Sequence, residues 1–381
     1  MDHFKPHVGA TFEGYFSKFT LATGGTIILI LCTVPQAEQR RHMLSFTYHP
    51  SASSDASSIF QQEVWLDYLD LLPDFEEDVA FVIDCSHGYM KVFKDSRTEY
   101  KIKHQSFTFH TITDPKTQTP WTPSSSQPDA PEGLFVHLPF PMHWYVHSLS
   151  TKCNIIFTLD DPTYTNSHSI AQADLQPNLP ATVHQEKNWA TSFPSAHLWI
   201  QARNEKTQAG FCLAGGPILG TESYLLSFRS SDPGQKYSFA LRPPLTTTLL
   251  PSILPASLNP SLLLSSRNIS YQTRTATLSF LTSLVPPFRT ITVSASADKD
   301  SFFSLSAPFA DGHRHNFCGQ TSRATVKVQV SEMDERLGLW MYVPFVGWKR
   351  FGFGTHWKIV HEEVFERGGL EFGAEWYDDR G

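Results

Sequence analysis

The sequence is poor in charged residues. Asp, Glu, Lys and Arg make up 18% of its 381 residues, whereas about 25% is usual for a soluble protein. The 30 basic residues are outnumbered by 37 acidic ones, which gives a net charge of −7. Because such a chain lacks the basic surface that holds a phosphate backbone, we expect no nucleic acid among its partners.

Cysteine pairs and long apolar runs are also missing. The five cysteines are scattered and form no CxxC pair, which excludes a disulfide framework and indicates buried thiols in a reducing compartment. The N-terminus has no secretory signal, and the longest apolar run, Ile27 to Val34, is far shorter than the roughly 20 residues that span a bilayer. We expect an intracellular, cytoplasmic protein that is not secreted and has no transmembrane segment. Peripheral membrane contact and the oligomeric state stay open.

The common motifs of cofactor and hydrolase chemistry do not occur. The sequence contains no GxGxxG, GxxxxGK[ST], HExxH or GxSxG pattern, which disfavours nucleotide cofactors, zincins and the serine nucleophile elbow. His143 and His147 lie in a segment typical of a strand, where their spacing of roughly 13 Å is too long for one metal ion. His313 and His315 lie in a segment typical of a solvated loop. We therefore predict no cofactor and no metal.

Short strand-like segments are abundant, and 13% of the residues are aromatic. Apolar and β-branched segments bounded by Gly, Pro, Asn, Asp and Ser recur along most of the chain. Alternation with a period of two is clear at residues 289–297 and 323–330. Only the window from Gln61 to Leu72 loosely follows helical spacing. The sequence predicts an all-β fold with few short helices.

Length and composition indicate two halves. A chain of 381 residues suggests about two domains at roughly 150 residues each, and the polar stretch at 166–180 is the best candidate boundary. We predict an N-terminal β domain at 1–178, with a loop insertion at about 111–131, and a C-terminal β domain at 179–381. The Pro- and Leu-rich stretch at 243–260 is either a lid over an apolar pocket or an irregular linker.

One segment gathers an unusual number of large polar and aromatic side chains. These residues lie between His184 and Asn204 and include Glu186, Lys187, Asn188, Trp189, Phe193, His197, Trp199, Gln201 and Arg203. Strand alternation would divide residues 196–204 between two faces, with His197, Trp199, Gln201 and Arg203 on one and Leu198, Ile200 and Ala202 on the other. The first face would then line a ligand cavity while the second packs in the core. The alternative is a structural network in which Lys187 and Glu186 form an ion pair.

The segment from Thr11 to Leu21 supplies a second candidate. In a strand, Glu13, Tyr15 and Ser17 would share one face. A carboxyl group between aromatic neighbours would be partly desolvated, which raises its pKa and favours the protonated form. Glu13 is therefore either a buried general acid or an exposed carboxylate at a sheet edge.

At these segments the sequence resembles the tocopherol cyclase family. The matching blocks follow the family's order through most of the chain, and they are Phe12-Glu13-Gly14-Tyr15, Glu186-Lys187-Asn188-Trp189-Ala190, Phe193-Pro194, Leu198-Trp199-Ile200-Gln201, Ala214-Gly215-Gly216, Phe302 to Gly312 and Leu370 to Trp376. Ala190 stands where the family has Gly, and Tyr15 stands where Trp is common.

The resemblance implies two lipocalin-like β-barrel or β-sandwich halves packed together. It also implies a cofactor-free intramolecular cyclase that closes an oxygen-containing or carbocyclic ring on a hydrophobic prenylated-aromatic, terpenoid or polyketide-derived substrate. An acid would protonate an alkene, aromatic faces would stabilise the cation and a phenol oxygen would close the ring. A pericyclic step on a folded substrate is the other route. The alternative function is a noncatalytic carrier of a hydrophobic small molecule.

Residue type and strand parity then assign the roles in such a reaction. Glu186 or Glu13 is the predicted acid, and His197 and Gln201 would orient the phenol oxygen. Trp189 and Trp199 are predicted to bind substrate as walls that face the cation, and Tyr15 and Phe193 are predicted to bind it as well. Lys187 and Asn188 either bind substrate or brace the motif.

Overall fold

The computed structural model describes most of the chain. The described residues are 3–7, 9–51, 58–73, 77–123, 130–138, 140–167, 171–191, 193–248, 261, 263–282, 288–333, 339–343, 347–351 and 357–379. They form an all-β fold of two lipocalin-like halves, which confirms the predicted fold class. Helical structure in these ranges comprises α1 (Pro162–Ser167) and short 3₁₀ turns. None of the helices described is long and apolar enough to cross a membrane.

The first sheet has eleven antiparallel strands in the order β4-β3-β2-β1-β11-β10-β9-β8-β7-β6-β5. The bounds of its strands are β1 (Phe12–Leu21), β2 (Thr26–Thr33), β3 (His42–His49), β4 (Phe60–Trp65), β5 (Leu69–Pro73), β6 (Val79–Cys85), β7 (Gly88–Phe93), β8 (Thr98–His104), β9 (Phe107–Thr113), β10 (Met142–Leu159) and β11 (Leu179–Ala190). Strands that follow each other along the chain pair with each other, except β4 and β5, which lie at the two ends of this order. Strand β1 pairs with β2 and also with the distant β11.

The second sheet has ten strands, in the order β15-β14-β13-β12-β23-β20-β18-β17-β16, and β19 pairs with β20 beside this path. Its strands are β12 (Ala196–Arg203), β13 (Gly210–Ile218), β14 (Thr221–Arg229), β15 (Phe239–Leu241), β16 (Leu264–Ser270), β17 (Thr275–Leu281), β18 (Arg289–Ser296), β19 (Phe303–Phe309), β20 (Gly312–Met333) and β23 (Trp357–Ala374). A separate hairpin pairs β21 (Leu339–Val343) with β22 (Gly347–Phe351).

The chain divides into two compact units. The first comprises Met1–Trp121, Leu138–Phe193 and Ser306–His315, and the second comprises Thr122–His137, Pro194–Leu305 and Asn316–Gly381. Strand β11 belongs to the first sheet, although it follows the domain boundary predicted after residue 178. The polar stretch at 166–180 lies within the first unit as well.

The core of the first unit is aromatic. Phe46 stacks on Phe107 with ring centroids 4.1 Å apart, and Phe19 meets Phe109 edge to face. Phe4 is fully buried in the same core, where its ring stacks on His147 at 4.2 Å and meets Tyr15 at 5.5 Å. Phe4, which precedes β1, is therefore part of the hydrophobic core.

The second unit has a more aliphatic core that follows strand alternation. Leu198 and Ile200 are completely buried in it together with Val326 and Val328, because every second side chain of a strand points to the same face. The prediction that Leu198, Ile200 and Ala202 pack in the core is confirmed. All five cysteines are buried and none forms a disulfide.

The strand assignments test several of the local predictions. The window at 61–72 contributes to strands β4 and β5, so its loose helical spacing is not realised. His143 and His147 lie on strand β10, as predicted. The solvated-loop interpretation of His313 and His315 is wrong, because both lie on β20, and the buried His313 places Nδ1 2.6 Å from the backbone oxygen of Arg40.

The two irregular stretches fall partly outside the described residues. Strand β9 runs to Thr113, so the insertion predicted at about 111–131 begins after that residue, and residues 124–129 lie outside the described ranges. Of the stretch at 243–260, residues 249–260 lie outside them. The described part contains a bridge from Thr248 to Ser261.

The buried position of Phe4 leads to a stability prediction. Phe4→Ala removes a completely buried ring, so we expect it to lower the free energy of unfolding by about 3–5 kcal/mol. Urea unfolding followed by fluorescence measures this change. Ile112→Ala is the control on β9, because Ile112 is 42% exposed and its truncation should change stability by only about 0.5 kcal/mol. Equal effects would contradict the docking of the first residues in the core.

Candidate functional site

In the first unit, four of the predicted site residues share one face of the sheet. Strands β1 and β11 pair so that Glu13 lies opposite Trp189 and Tyr15 lies opposite Lys187. Directly opposed residues of antiparallel strands project to the same side, and the next pair, Ser17 and Gln185, continues the row. The sheet thus brings together a carboxyl group, an ammonium group and two aromatic rings.

The ammonium group of Lys187 lies at the centre of this cluster, and its side chain is completely buried. It forms an ion pair with Glu13 and donates to the backbone oxygen of Lys5. It also lies 2.8 Å from His7 Nδ1. The rings of Tyr15 and Trp189 are 4.9 Å and 5.2 Å from the nitrogen, so cation–π attraction adds to the ion pair.

Glu13 is a carboxylate in this environment. Its oxygens accept hydrogen bonds from the backbone N–H of His7 at 3.0 and 3.2 Å and from the Tyr15 hydroxyl at 3.2 Å. Burial alone would raise the pKa of Glu13, but the bonds from His7 and the charge of Lys187 lower it below the ordinary value. The predicted raised pKa is therefore wrong. The exposed alternative is wrong too, because Glu13 is 2% exposed.

The ring of Trp189 is covered by histidines of the same unit. His7 stacks on it with centroids 3.8 Å apart and planes within 5°, and His143 stacks on it at 5.0 Å. Its aromatic contacts are thus with side chains of this chain, and the ring forms part of a closed structural cluster. The prediction missed His7, although two histidines near the start of the sequence, His3 and His7, separated by Phe4, Lys5 and Pro6, were a visible signal.

Glu186 and Asn188 lie on the opposite face of β11, since they alternate with Lys187 and Trp189. Glu186 Oε2 is 2.8 Å from His184 Nε2. The alternative ion pair between Lys187 and Glu186 is therefore not formed, because Lys187 pairs with Glu13 and Glu186 pairs with His184. Gly14 leaves room for the amide of Asn188, whose oxygen lies 2.8 Å from where a Cβ atom would be.

Phe193 lies apart from both groups. Its ring is 5.7 Å from Phe12 and 5.7 Å from Phe309, and it packs against a small apolar cluster of the first unit that includes Val34 and Ala37. Its described contacts are those of a core residue.

In the second unit, His197, Trp199 and Gln201 share one face of β12, as strand parity predicts. Strand β23 pairs with β12 on one side and with β20 on the other. The resulting rows of opposed residues run across three strands: Gln320, Glu371 and Trp199 form one, and Cys318, Gly373 and His197 form the next.

Two glycines of β23 make room for the rings of β12. A Cβ atom at residue 373 would lie 1.8 Å from Cε1 of His197, and one at residue 369 would lie 2.4 Å from Cζ3 of Trp199. Real Cβ atoms do not approach other atoms so closely. The glycines therefore allow both rings to lie across the neighbouring strand.

His197 is paired with a carboxylate on this face. Its Nε2 is 2.6 Å from Oε1 of Glu371, and both side chains are about one-sixth exposed, at 16% and 15%. Cys318 Sγ lies 3.9 Å from the same nitrogen. A carboxylate that accepts from one imidazole nitrogen fixes the tautomer and orientation of the ring. The pair can therefore accept and return a proton.

His197, Cys318 and Glu371 also offer one metal-ligand atom each within 4.8 Å of one another. These are donor types that Zn²⁺ accepts. However, nitrogen and oxygen ligands about 2.0–2.1 Å from a tetrahedral metal would lie farther apart than the 2.6 Å between His197 and Glu371. The distance fits a direct hydrogen bond.

The sequence prediction missed Glu371, Cys318 and Gln320. The signal for Glu371 was present in the terminal strand, where it alternates with Gly369 and Gly373. The pairing itself was not visible, because 174 residues separate Glu371 from His197.

The matches to known proteins are structural. No protein-family model matches the chain, and a search of curated protein sequences found no match. The chain is similar to the structure of a candidate AttH protein from Nitrosomonas europaea, at 11% identity and a TM-score of 0.43, covering 99% of this chain and 97% of that one. Its similarity to CghA bound to Sch210972 has 12% identity and a TM-score of 0.49, and it covers 97% of this chain and 90% of CghA.

A further similar structure is kievitone hydratase from Nectria haematococca. The identity is 11% and the TM-score is 0.47, with 98% of this chain and 92% of that one covered. These likenesses extend over nearly the whole chain, at identities far below those that carry chemistry from one protein to another. The resemblance to the tocopherol cyclase family stays a prediction.

The buried ion pair of the first unit leads to a stability prediction. Lys187→Met leaves the Glu13 carboxylate buried without its cation, so we expect a loss of about 3–5 kcal/mol in the free energy of unfolding. The double variant Glu13→Gln/Lys187→Met removes both charges and should recover part of this loss. Urea unfolding of the variants measures both changes, with the exposed Lys101→Met as the control. A double variant less stable than Lys187→Met would contradict the pairing.

The lowered pKa of Glu13 predicts a pH dependence. The folded-state pKa lies below the ordinary value of 4.5, so the contribution of Glu13 to stability is fully present above pH 4.5 and is lost as the pH falls through the folded pKa. The melting temperature of the wild type should therefore fall more steeply below pH 4.5 than that of Glu13→Gln. Parallel curves for the two proteins would show that the carboxylate is not stabilised by folding.

Proposed function

We propose that this protein is a cofactor-free enzyme of the cyclase or hydratase type, and more specifically an intramolecular cyclase of a hydrophobic prenylated-aromatic, terpenoid or polyketide-derived substrate. The observation that carries the proposal is the hydrogen bond between His197 and Glu371 on a largely buried sheet face that also holds Trp199 and Gln201. An acid–base pair, an aromatic wall and a polar amide on one face are the groups that this chemistry requires.

His197 serves as the acid and base of the proposed reaction. Its imidazolium gives a proton to one carbon of a substrate alkene, whose π electrons form the new C–H bond and leave a tertiary cation. A lone pair of a substrate hydroxyl oxygen then forms the C–O bond. The hydroxyl proton returns to His197, so the product is an isomer of the substrate.

The neighbouring groups have distinct tasks in this scheme. Glu371 compensates the positive charge of the imidazolium and holds its ring. The indole of Trp199 stabilises the developing cation by roughly 2 kcal/mol or more when desolvated, and Gln201 orients the oxygen nucleophile. Exclusion of water from the buried face prevents capture of the cation as an alcohol.

The proposal assigns the cluster of the first unit a bracing role. The Glu13 carboxylate is committed to Lys187 and His7, and Trp189 is covered by histidine rings. Glu186, which is 2.8 Å from His184, is kept as the second candidate acid on the opposite face of β11.

Turnover of candidate substrates tests the function. We would first identify by mass spectrometry the small molecules that copurify with the protein, and then incubate prenylated hydroquinones and linear polyene carbonyl compounds with it in heavy water. A cyclised isomer that carries deuterium is the product expected from alkene protonation. An unlabelled cyclised isomer would indicate a pericyclic step, and a product heavier by one water would indicate a hydratase.

The role of His197 is tested with the same substrates. We expect His197→Ala to lower kcat by about 10²- to 10⁴-fold, which is the usual contribution of general acid–base catalysis, and Glu371→Gln to cause a smaller loss. His110→Ala is a matched control, because His110 lies 3.4 Å from Glu99 on the first sheet. Added EDTA should leave turnover unchanged. Full turnover of His197→Ala would rule out the assignment, and recovery of every bound compound unchanged would favour the carrier.

A further inference from the structure

Gln320 is a buried amide whose hydrogen-bonding capacity is unused. It lies on β20 and is 1% exposed. Neither its side-chain oxygen nor its side-chain nitrogen has a hydrogen-bond partner among the residues that the structure describes. An unpaired buried amide costs stability. Gln320 is therefore unfavourable for the stability of the folded protein.

The position of Gln320 connects it to the proposed catalytic face. It is directly opposed to Glu371 across β20 and β23, and Glu371 is in turn opposed to Trp199. Opposed side chains on one face have Cβ atoms about 4.5–5.5 Å apart. The amide therefore lies beside the carboxylate that holds His197 and in the same row as the aromatic wall.

A second buried glutamine shows how this fold treats an amide that is only structural. Gln185, in the first unit, is also 1% exposed. Its Nε2 donates to Thr98 Oγ1 at 3.1 Å and to the Tyr100 hydroxyl at 2.8 Å. The two glutamines are equally buried, and only the one beside His197 and Glu371 has both amide atoms without a partner.

We propose that Gln320 binds the polar head of the substrate, and that this head carries a hydrogen-bond donor directly beside a carbonyl acceptor. This inference rests on the proposed function, since it concerns the same sheet face. The amide oxygen of Gln320 accepts from the N–H or O–H of the head, while its NH₂ group donates to the carbonyl. Primary amides, lactams, carboxylic acids and enolised dicarbonyl groups have this arrangement.

The same complementarity defines what the site rejects. A head that offers only an acceptor leaves the oxygen of Gln320 unpaired, and a hydrocarbon leaves both amide atoms unpaired. Sites built to hydrogen-bond a substrate group discriminate strongly against analogues that lack it, because their own buried polar groups are then left without partners.

Two probes with the same chain length test this binding. Decanamide presents N–H beside C=O, whereas N,N-dimethyldecanamide presents only the carbonyl. We expect the wild type to bind decanamide about tenfold more tightly than N,N-dimethyldecanamide, because one net hydrogen bond is worth about that factor in affinity. Gln320→Leu should reduce this ratio to about one. Isothermal titration calorimetry of each protein with each probe gives the ratio. Comparing the ratios of the wild type and Gln320→Leu cancels the difference in hydrophobicity between the two probes.

Thermal stability provides an independent readout. Gln320→Leu removes an unpaired buried amide, so its melting temperature should be equal to or higher than that of the wild type. Gln185→Leu is the matched control. It should lower the melting temperature, because it deprives Thr98 and Tyr100 of a partner, and it should leave the binding ratio unchanged.

The outcomes separate this inference from the proposed function. A wild type that shows no preference for decanamide, whether it binds both probes or neither, overturns the role of Gln320, and so does a preference that survives in Gln320→Leu. A lower melting temperature of Gln320→Leu would mean that the amide is structural, which also overturns it. Decanamide contains no alkene and cannot cyclise, so its binding is independent of the turnover lost in His197→Ala.

Discussion

Strands β11 and β12 are buried on both faces, and this constraint governs the rest of the structure. A strand with one wet face can direct its polar side chains to solvent, whereas these strands must find partners for them within the protein. Lys187 and Glu186 show the result on the two faces of β11, because each is buried and each has an opposite charge or a histidine beside it. His197 of β12 and Glu371 of β23, each about one-sixth exposed, are paired in a similar way.

The two sheets meet this requirement to different degrees. In the first, the ammonium group of Lys187 is surrounded by a carboxylate, two backbone oxygens, a histidine and two aromatic faces, so the cluster is complete. In the second, the row that contains Glu371 ends in Gln320, whose amide has no hydrogen-bond partner in the described part of the chain. A complete polar cluster stabilises one conformation, whereas a buried polar group without a partner costs stability.

Sequence alone could predict which residues share a face, because that depends only on the period of a strand. The division of residues 196–204 into an apolar and a polar face is therefore correct. Sequence could not predict partners across strands, which depend on register. The pKa of Glu13 was misjudged for this reason: its aromatic neighbours in sequence suggested desolvation, whereas the groups that decide its charge are His7 and Lys187. The cross-strand position of Glu371 was hidden in the same way.

The composition of the first compact unit has a consequence for biosynthesis. Strand β1 pairs with β11, and the unit also includes residues 306–315. A ribosome must therefore release most of the chain before this unit has all its parts. Until the chain has been released through Ala190, β1 has only β2 as a partner, and apolar strand edges remain open to other nascent chains. Late completion of this kind makes folding slow. A chain truncated between Phe193 and Ser306 would contain an incomplete first unit.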